Sequence, residues 1–303
     1  MRIGVAATPD VAIPTLEWLI TSEHQLERVI TQPDRPAGRG RELSQSPVSS
    51  WALNHGIDTI KPQSPSELVG VIDTLDVVIT IGYGILLPEE ILTLPRNGFL
   101  NLHFSLLPAY RGAAPVQRAI ENGETVSGVT VFKLDKGMDT GPIYSRKSVD
   151  IEPDWRSCEA LSHLADLGPE VIESALAAIS AGVAPTAQSG TPSMAAKISK
   201  ADARIDWSAT GDNIVNRVRA FYPAPVAWCN WRESSLKITR AVNSHSDIFL
   251  APGHIHCREK SVLVGTGDGT VIELLSLVPA GKKEMSAGDW ARGAHISEGE
   301  SFG

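Results

Sequence analysis

Two residues at the end of an apolar run, Asn101 and His103, have the types and the spacing for acyl-transfer chemistry. The run reads as a strand, and strand side chains alternate faces, so positions i and i+2 point the same way. One face then carries a neutral hydrogen-bond donor beside a titratable imidazole. The donor can hold a carbonyl oxygen as it gains charge, and the imidazole can carry a proton near neutral pH. The Ser105-Leu-Leu-Pro108 loop follows at once and offers backbone to grip a substrate. A third group, Asp139, lies in the segment Lys136-Gly137-Met138-Asp139-Thr140-Gly141, after another strand. An aspartate near His103 is expected to raise its pKa and fix its tautomer, keeping it able to give a proton near neutral pH. Each residue also has an ordinary structural role: a strand-end histidine packs, an aspartate between glycines makes a turn, an asparagine bonds a loop. Their coexistence alone does not choose between the two.

The elements that must position these groups are legible as alternation. Strand patterns fall at 2–7, 26–32, 58–60, 76–81 and 98–102, with helical spacing over 11–20. Ser46-Pro47 and Ser64-Pro65 are helix starts, an N-cap followed by Pro at the first helical position. Such alternation implies an α/β fold with a mostly parallel, Rossmann-like sheet covered on both faces. In sheets of that kind ligands bind beyond the carboxyl ends of the strands, where Asn101, His103 and Asp139 are expected. A further strand is expected at 126–134 and a long helix at 158–179, with an interruption at Gly168-Pro169. Residues 182–193 have linker composition. Short β runs at 227–231, 236–241, 253–257, 261–264 and 271–277 then predict a small β-barrel or sandwich. The expected division is a catalytic domain over 1–183, a linker over 184–203 and a C-terminal domain over 204–303.

Composition narrows the function classes. The chain has 303 residues and a net charge of −8, all of it before residue 204: 16 basic and 24 acidic residues precede that point, and 11 of each follow. An acidic protein is a poor default partner for nucleic acid, so any such binding must come from local patches. One is the loop 33–43, where Arg35, Arg39 and Arg41 fall within seven residues beside two glycines. No apolar run reaches membrane-spanning length, and the N-terminus lacks the pattern of a signal peptide. Three widely spaced cysteines exclude a disulfide framework or a four-cysteine zinc site, which fits a reducing cytoplasm. His254, His256 and Cys257 have no second ligand pair nearby, and no metal is expected. Gly265-Thr-Gly-Asp-Gly269 reads as a hairpin turn, and no dinucleotide fingerprint or phosphate-binding loop is present, so no nucleotide cofactor is expected.

Asn101-Leu-His103, Ser105-Leu-Leu-Pro108 and Arg111-Gly-Ala-Ala-Pro115 together resemble the signature of formyltransferases that use 10-formyltetrahydrofolate. Gly137-Met-Asp139-Thr-Gly141 is similar to their second signature. Thr8-Pro-Asp10, the segment 31–40, Tyr83-Gly84, Ala203-Arg-Ile-Asp-Trp207, Arg219-Ala-Phe221, Trp228, Thr266-Gly-Asp-Gly269 and Pro279-Ala-Gly-Lys-Lys283 extend the resemblance to about Trp290. The arginine loop and Pro279–Lys283 fit the tRNA-directed branch best. The sequence departs from the family at Ala7, where Gly is common, and at Phe104, where a small residue is common.

The resemblance implies transfer of a formyl group from 10-formyltetrahydrofolate, as co-substrate, to the α-amine of methionyl-initiator tRNA. Asn101 would bond the formyl oxygen as it becomes an oxyanion; His103 would give a proton to the leaving N10 or stabilise the tetrahedral intermediate; and Asp139 would orient and charge His103 and help remove the amine proton, directly or through a water. Ser105, Leu106, Leu107 and Pro108 would line the folate pocket, with Tyr83, Gly84, Ile85, Leu86, Leu87, Gly137 and Met138 around the pterin. The C-terminal domain would be an OB-like barrel that binds tRNA. Arg35, Arg39 and Arg41 would enter the acceptor end; Lys197, Lys200, Arg217, Arg219, Lys237, Lys282 and Lys283 could make a positive face. A monomer in the cytoplasm is expected. The alternative is another 10-formyltetrahydrofolate enzyme, acting on an amino-sugar nucleotide or hydrolysing the cofactor; the arginine loop and the basic C-terminal features argue against it. An RNA-binding module with an inactive α/β domain is opposed by the intact trio Asn101, His103 and Asp139.

Overall fold

The computed structural model describes residues 1–37, 42–297 and 299–303. Its first elements are Arg2–Ala7 (β1), Ile13–Thr21 (α1), Gln25–Ile30 (β2), Arg35–Ala37 (β3), Glu42–Ser44 (β4), Pro47–Asn54 (α2), Thr59–Ile60 (β5) and Val77–Ile81 (β6). Then come Glu89–Leu92 (α3), Phe99–His103 (β7), Arg111–Gly112 (β8), Pro115–Glu121 (α4), Val126–Lys133 (β9), Ile143–Asp150 (β10), Ser157–Asp166 (α5) and Gly168–Ser180 (α6). Seven strands form one sheet in the order β10-β9-β7-β6-β1-β2-β5. The pairs β5–β2, β2–β1, β1–β6 and β6–β7 are parallel, and β9 runs antiparallel to β7. The strands β1 and β6 are covered on both faces, which is why they read as unbroken apolar runs.

Several local signals act as the sequence predicts. Ser46 accepts the Ser49 N–H and caps α2, with Pro47 at the first turn. The predicted long helix is divided at Leu167, which caps α6. A Cβ on Gly168 would lie 2.8 Å from Leu102 and 2.9 Å from Thr15, so glycine lets α6 approach β7 and α1 closely. Two features differ from expectation. The polar stretch after Pro33 contains a short antiparallel hairpin, β3 with β4, pairing Arg35 with Ser44. The strand β10 alternates half-buried and exposed residues at the sheet edge, so it carries no apolar run to announce it.

The chain groups into two compact units that interleave along the sequence. One comprises residues 1–112, 127–149 and 161–194; the other comprises 113–126, 150–160 and 195–303. Past Met194–Ala195 (β11), the second unit holds Gly211–Ala220 (α7), Trp228–Trp231 (β12), Ser234–Asn243 (β13), Ile255–Arg258 (β14), Ser261–Gly265 (β15), Val271–Pro279 (β16), Met285–Ser286 (β17) and Ala287–Ala294 (α8). Its strands form an antiparallel sheet, β12-β13-β16-β15-β14, with β17 added on β16. Its core gathers Trp207, Ile214, Val218, Ile238, Leu274, Trp290 and Phe302, with Trp207 stacked on Phe302. The helix α4 from the middle of the chain packs on α7 within this unit.

Candidate active site

Both β6 and β7 end at the same edge of the sheet, because they run parallel from Val78 opposite Phe99 to Thr80 opposite Asn101. At that edge β7 presents Asn101 and His103 on one face, two residues apart. Asn101 is half-buried, and among the described residues its carboxamide has no hydrogen-bond partner. His103 is buried, 6% exposed. Its Nε2 faces the Tyr110 carbonyl at 2.9 Å, so Nε2 carries a proton and donates it. The Nδ1 atom faces Asp139 Oδ2 at 3.8 Å. That carboxylate oxygen also accepts the Gly112 N–H at 2.8 Å.

The tautomer is therefore set by a backbone carbonyl, in place of the role expected for Asp139. The pKa also moves the other way. Burial pushes the imidazole below its ordinary value of 6.5, and the opposing pull of Asp139 and of the Tyr110 carbonyl does not reverse it. At neutral pH His103 is a neutral imidazole with a free lone pair on Nδ1. In that state Nδ1 can accept a proton.

The segments matched to a folate pocket lie around this edge. Leu86 and Met138 are 85% and 61% exposed, large apolar side chains open to a ligand. Tyr83 and Leu87 are buried in the core beneath. Burial pushes the Tyr83 phenol up to about 12, so it stays protonated. Gly84 has φ +73°, and a Cβ there would meet Gln32 Nε2 at 2.8 Å, the atom that donates to the Tyr83 carbonyl at 2.6 Å. Ile85 and Gly137 are half-buried at the same segments. Ser105 is not an open ligand contact. Its hydroxyl is buried and donates to the Ala109 carbonyl at 2.6 Å, while its own carbonyl accepts from Thr130 at 2.7 Å. Leu107 is buried as well, and Leu106 and Pro108 are half-buried. Phe104 packs inside, as alternation predicts for a residue facing away from His103.

The basic candidates separate into three groups. Lys197, Lys200, Lys237, Lys282 and Lys283 are exposed. Arg35 is exposed on its hairpin, and Arg39 and Arg41 lie outside the described residues. Arg217 and Arg219 do not belong to an open positive face. Arg217 pairs with Glu121 at 3.0 Å and donates to the carbonyls of Asp202 and Arg204. Arg219 donates to the carbonyls of Trp155 and Glu152 at 2.8 and 3.0 Å, and burial lowers its pKa. Their periodic positions on α7 give no sign of these distant partners. Sequence reasoning also misses the Tyr110 carbonyl, the Gly112 amide and Gln188, which lies in a stretch that reads as linker.

Among the described residues one histidine–carboxylate group, Glu23, His24 and Glu173, brings possible metal-ligand atoms within 4.8 Å of one another. It sits before β2 and on α6, away from the strand ends that carry Asn101 and His103, and His24 and Glu173 already pair at 3.1 Å. No helix among the described residues is long and apolar enough to cross a membrane.

Models of known families match nearly the whole chain: formyl transferase over residues 1–176 and formyl transferase, C-terminal domain, over 197–295. The chain belongs to the formyl transferase family. This formyl transferase is 42% identical over 308 residues to a methionyl-tRNA formyltransferase of Salinispora tropica, with 99% of each chain covered. It is 41% identical over 312 residues to a methionyl-tRNA formyltransferase of Streptomyces coelicolor, covering all of both. Its fold is similar to that of HypX from Aquifex aeolicus, solved in complex with tetrahydrofolic acid, at a TM-score of 0.68 and 16% identity. That match covers 99% of this chain but 48% of HypX, so this formyl transferase spans about half the length of that protein.

Proposed function

We propose that this enzyme transfers the formyl group of 10-formyltetrahydrofolate to the α-amino group of methionyl-tRNA. The donor supplies an activated formyl carbon bonded to N10. The single observation that carries the reaction is the arrangement of Asn101, His103 and Asp139 at one strand end. The near-complete match to proteins named methionyl-tRNA formyltransferase carries the acceptor.

The chemistry follows from these side chains. Asn101 holds an uncommitted amide where the formyl oxygen gains charge. His103 Nδ1 takes the proton that the amine loses as the new carbon–nitrogen bond forms. The same atom returns that proton to N10 as the old bond breaks, so His103 ends as it began. Asp139, held by the Gly112 amide, stabilises the imidazolium between the two transfers. Leu86 and Met138 give the pterin apolar walls, with Tyr83 packed beneath them, and the backbone of 84–87 and 137–138 gives its polar edges. The Ser105–Pro108 loop shapes the pocket through its backbone.

Along the chain, residues 1–183 carry the chemistry, 184–203 form the link, and 204–303 grip the RNA. Initiator tRNA is the acceptor. Arg35, Arg39 and Arg41 reach the acceptor end, and Lys197, Lys200, Lys282 and Lys283 meet phosphates. The enzyme acts as a monomer in the cytoplasm, where charged tRNA is made.

The test gives the purified protein 10-formyltetrahydrofolate with methionyl-tRNA in one reaction and with an amino-sugar nucleotide in another. Formyl-methionyl-tRNA is the expected product; its absence while the sugar is formylated would reject this acceptor.

A further inference from the structure

Asp139 occupies the left-handed backbone region, with φ +53°, which few L residues other than aspartate and asparagine visit readily. A side chain 49 residues away from Asp139 holds the carbonyls of this turn. Gln188 Nε2 donates to the carbonyl of Asp139 and to that of Gly141, each at 2.8 Å. The other end of the amide is fixed too. Gln188 Oε1 accepts from Arg111 Nη2 at 2.6 Å and from Arg111 Nε at 3.2 Å. Arg111 is itself anchored, its N–H donating to the Ser193 carbonyl at 2.9 Å. The next residue, Gly112, gives its N–H to the Asp139 carboxylate. A closed circuit runs from Arg111 through Gln188 to Asp139 and back through Gly112.

The amide is matched to this place. Its two N–H groups meet two carbonyls, and its oxygen meets two guanidinium N–H groups, so its full hydrogen-bonding capacity is used. Arginine only donates and carbonyls only accept, so the amide can face one way alone. A fully satisfied network of this kind rigidifies what it touches.

We propose that Gln188, oriented by Arg111, is a positioning residue: it fixes the loop so that the Asp139 carboxylate stands against His103. The inference rests on the reading of Asp139 and His103 as the proton-carrying pair. Asp139 is the charged group set against the imidazole, which also meets the Phe132 ring and the Tyr110 carbonyl. If the carboxylate swings away, His103 loses the influence that raises its pKa.

Two variants and one reference test this. Glu at position 188 keeps both bonds from Arg111 but offers no hydrogen to the two carbonyls. Asn keeps the amide and is one methylene too short. For Gln188→Glu and Gln188→Asn we expect kcat for formyl transfer to fall on the order of 10- to 100-fold, the scale of a small misplacement of reacting groups. KM for methionyl-tRNA should stay within roughly threefold, since no tRNA contact is assigned to this loop. In the neutral Gln188→Asn, the acid limb of the kcat–pH profile should also move to lower pH. Gln188→Glu gains an ion pair with Arg111 but sets a carboxylate oxygen against two carbonyls, so thermal melting is followed for both variants and kcat is compared per folded enzyme. A folded variant of either kind with parental kcat, or an activity loss that only follows the folded fraction with an unmoved acid limb, overturns the proposal. Asp139→Asn is the reference. If it is inactive while both position-188 variants are fully active, the positioning role alone fails; if it is itself fully active, the proton-pair reading fails with it.

Discussion

Nδ1 of His103 lies 3.8 Å from Asp139 Oδ2, beyond hydrogen-bonding distance, while the same carboxylate oxygen takes a 2.8 Å bond from the Gly112 amide. The pair is therefore held apart in the resting enzyme. A proton on Nδ1 would set opposite charges across this gap, so Asp139 favours the protonated imidazole over the neutral one. An interaction that strengthens along the reaction is the kind that accelerates it.

Asp139→Asn should cut kcat by roughly 100- to 10,000-fold, the range for disabling an acid–base group. The sign of the pH effect is fixed by the environment. His103 must be neutral to accept a proton, so activity falls as pH drops through its pKa, which burial places below 6.5. Asp139 raises that pKa, so removing its charge moves the limb further toward acid. The amine of the acceptor adds its own limb, about 7.7–8.0 for a free α-amino group, in both enzymes alike. The difference between the two pH–rate profiles isolates the histidine.

Asn101→Ala should lower kcat by about 100- to 1,000-fold, the cost of one oxyanion donor. Its amide has no partner among the described residues, so thermal melting should scarcely change. A large drop in melting temperature would mean that the residue is structural.

Gly141→Ala should destabilise the protein by about 3 kcal/mol, at the upper end for forced overpacking. A Cβ there would fall 1.7 Å from the Lys133 carbonyl, a backbone atom that cannot turn aside. Urea titration reads the loss, and activity should be lost with it, because the same glycine follows Asp139 in the loop.

Arg219→Ala and the double change Lys282→Ala with Lys283→Ala should behave oppositely. Arg219 donates to two backbone carbonyls, so its loss should cost roughly 1.5–3 kcal/mol, the range for charged hydrogen bonds. The exposed lysines should leave stability unchanged. They should weaken tRNA binding and flatten its salt dependence, by about 0.7–0.9 in the log–log slope for each phosphate that is no longer neutralised. Nitrocellulose retention across a salt series, beside urea titration, separates the two effects.

The strand that bears Asn101 and His103 is legible in the sequence because β7 is buried and Phe99, Leu100 and Leu102 supply its apolar residues. The helix start at Ser46-Pro47 and the break at Gly168 are legible because capping and close approach are local demands. Three things are not. The edge strand β10 has no apolar periodicity to read. The state of His103 depends on burial and on a carbonyl seven residues on, and proximity of an aspartate alone points to the wrong direction of shift. Arg217 and Arg219 have the charge and spacing of an RNA-facing stripe, yet their partners, Glu121, Glu152 and Trp155, lie far off in the sequence and meet them only through the tertiary fold.

Two of the contacts that align the reacting groups, the Tyr110 carbonyl on His103 and the Gly112 amide on Asp139, belong to peptide bonds. A peptide carbonyl survives every codon change, and a peptide amide is lost only to proline. The alignment thus depends on the path of the backbone, a strict demand at Tyr110 and Gly112, whose φ of +59° and +122° few L residues adopt. A substitution at 110 or 112 therefore acts through the path of the chain between 103 and 112, and a change in that path would disable the catalyst with every reactive side chain still in place.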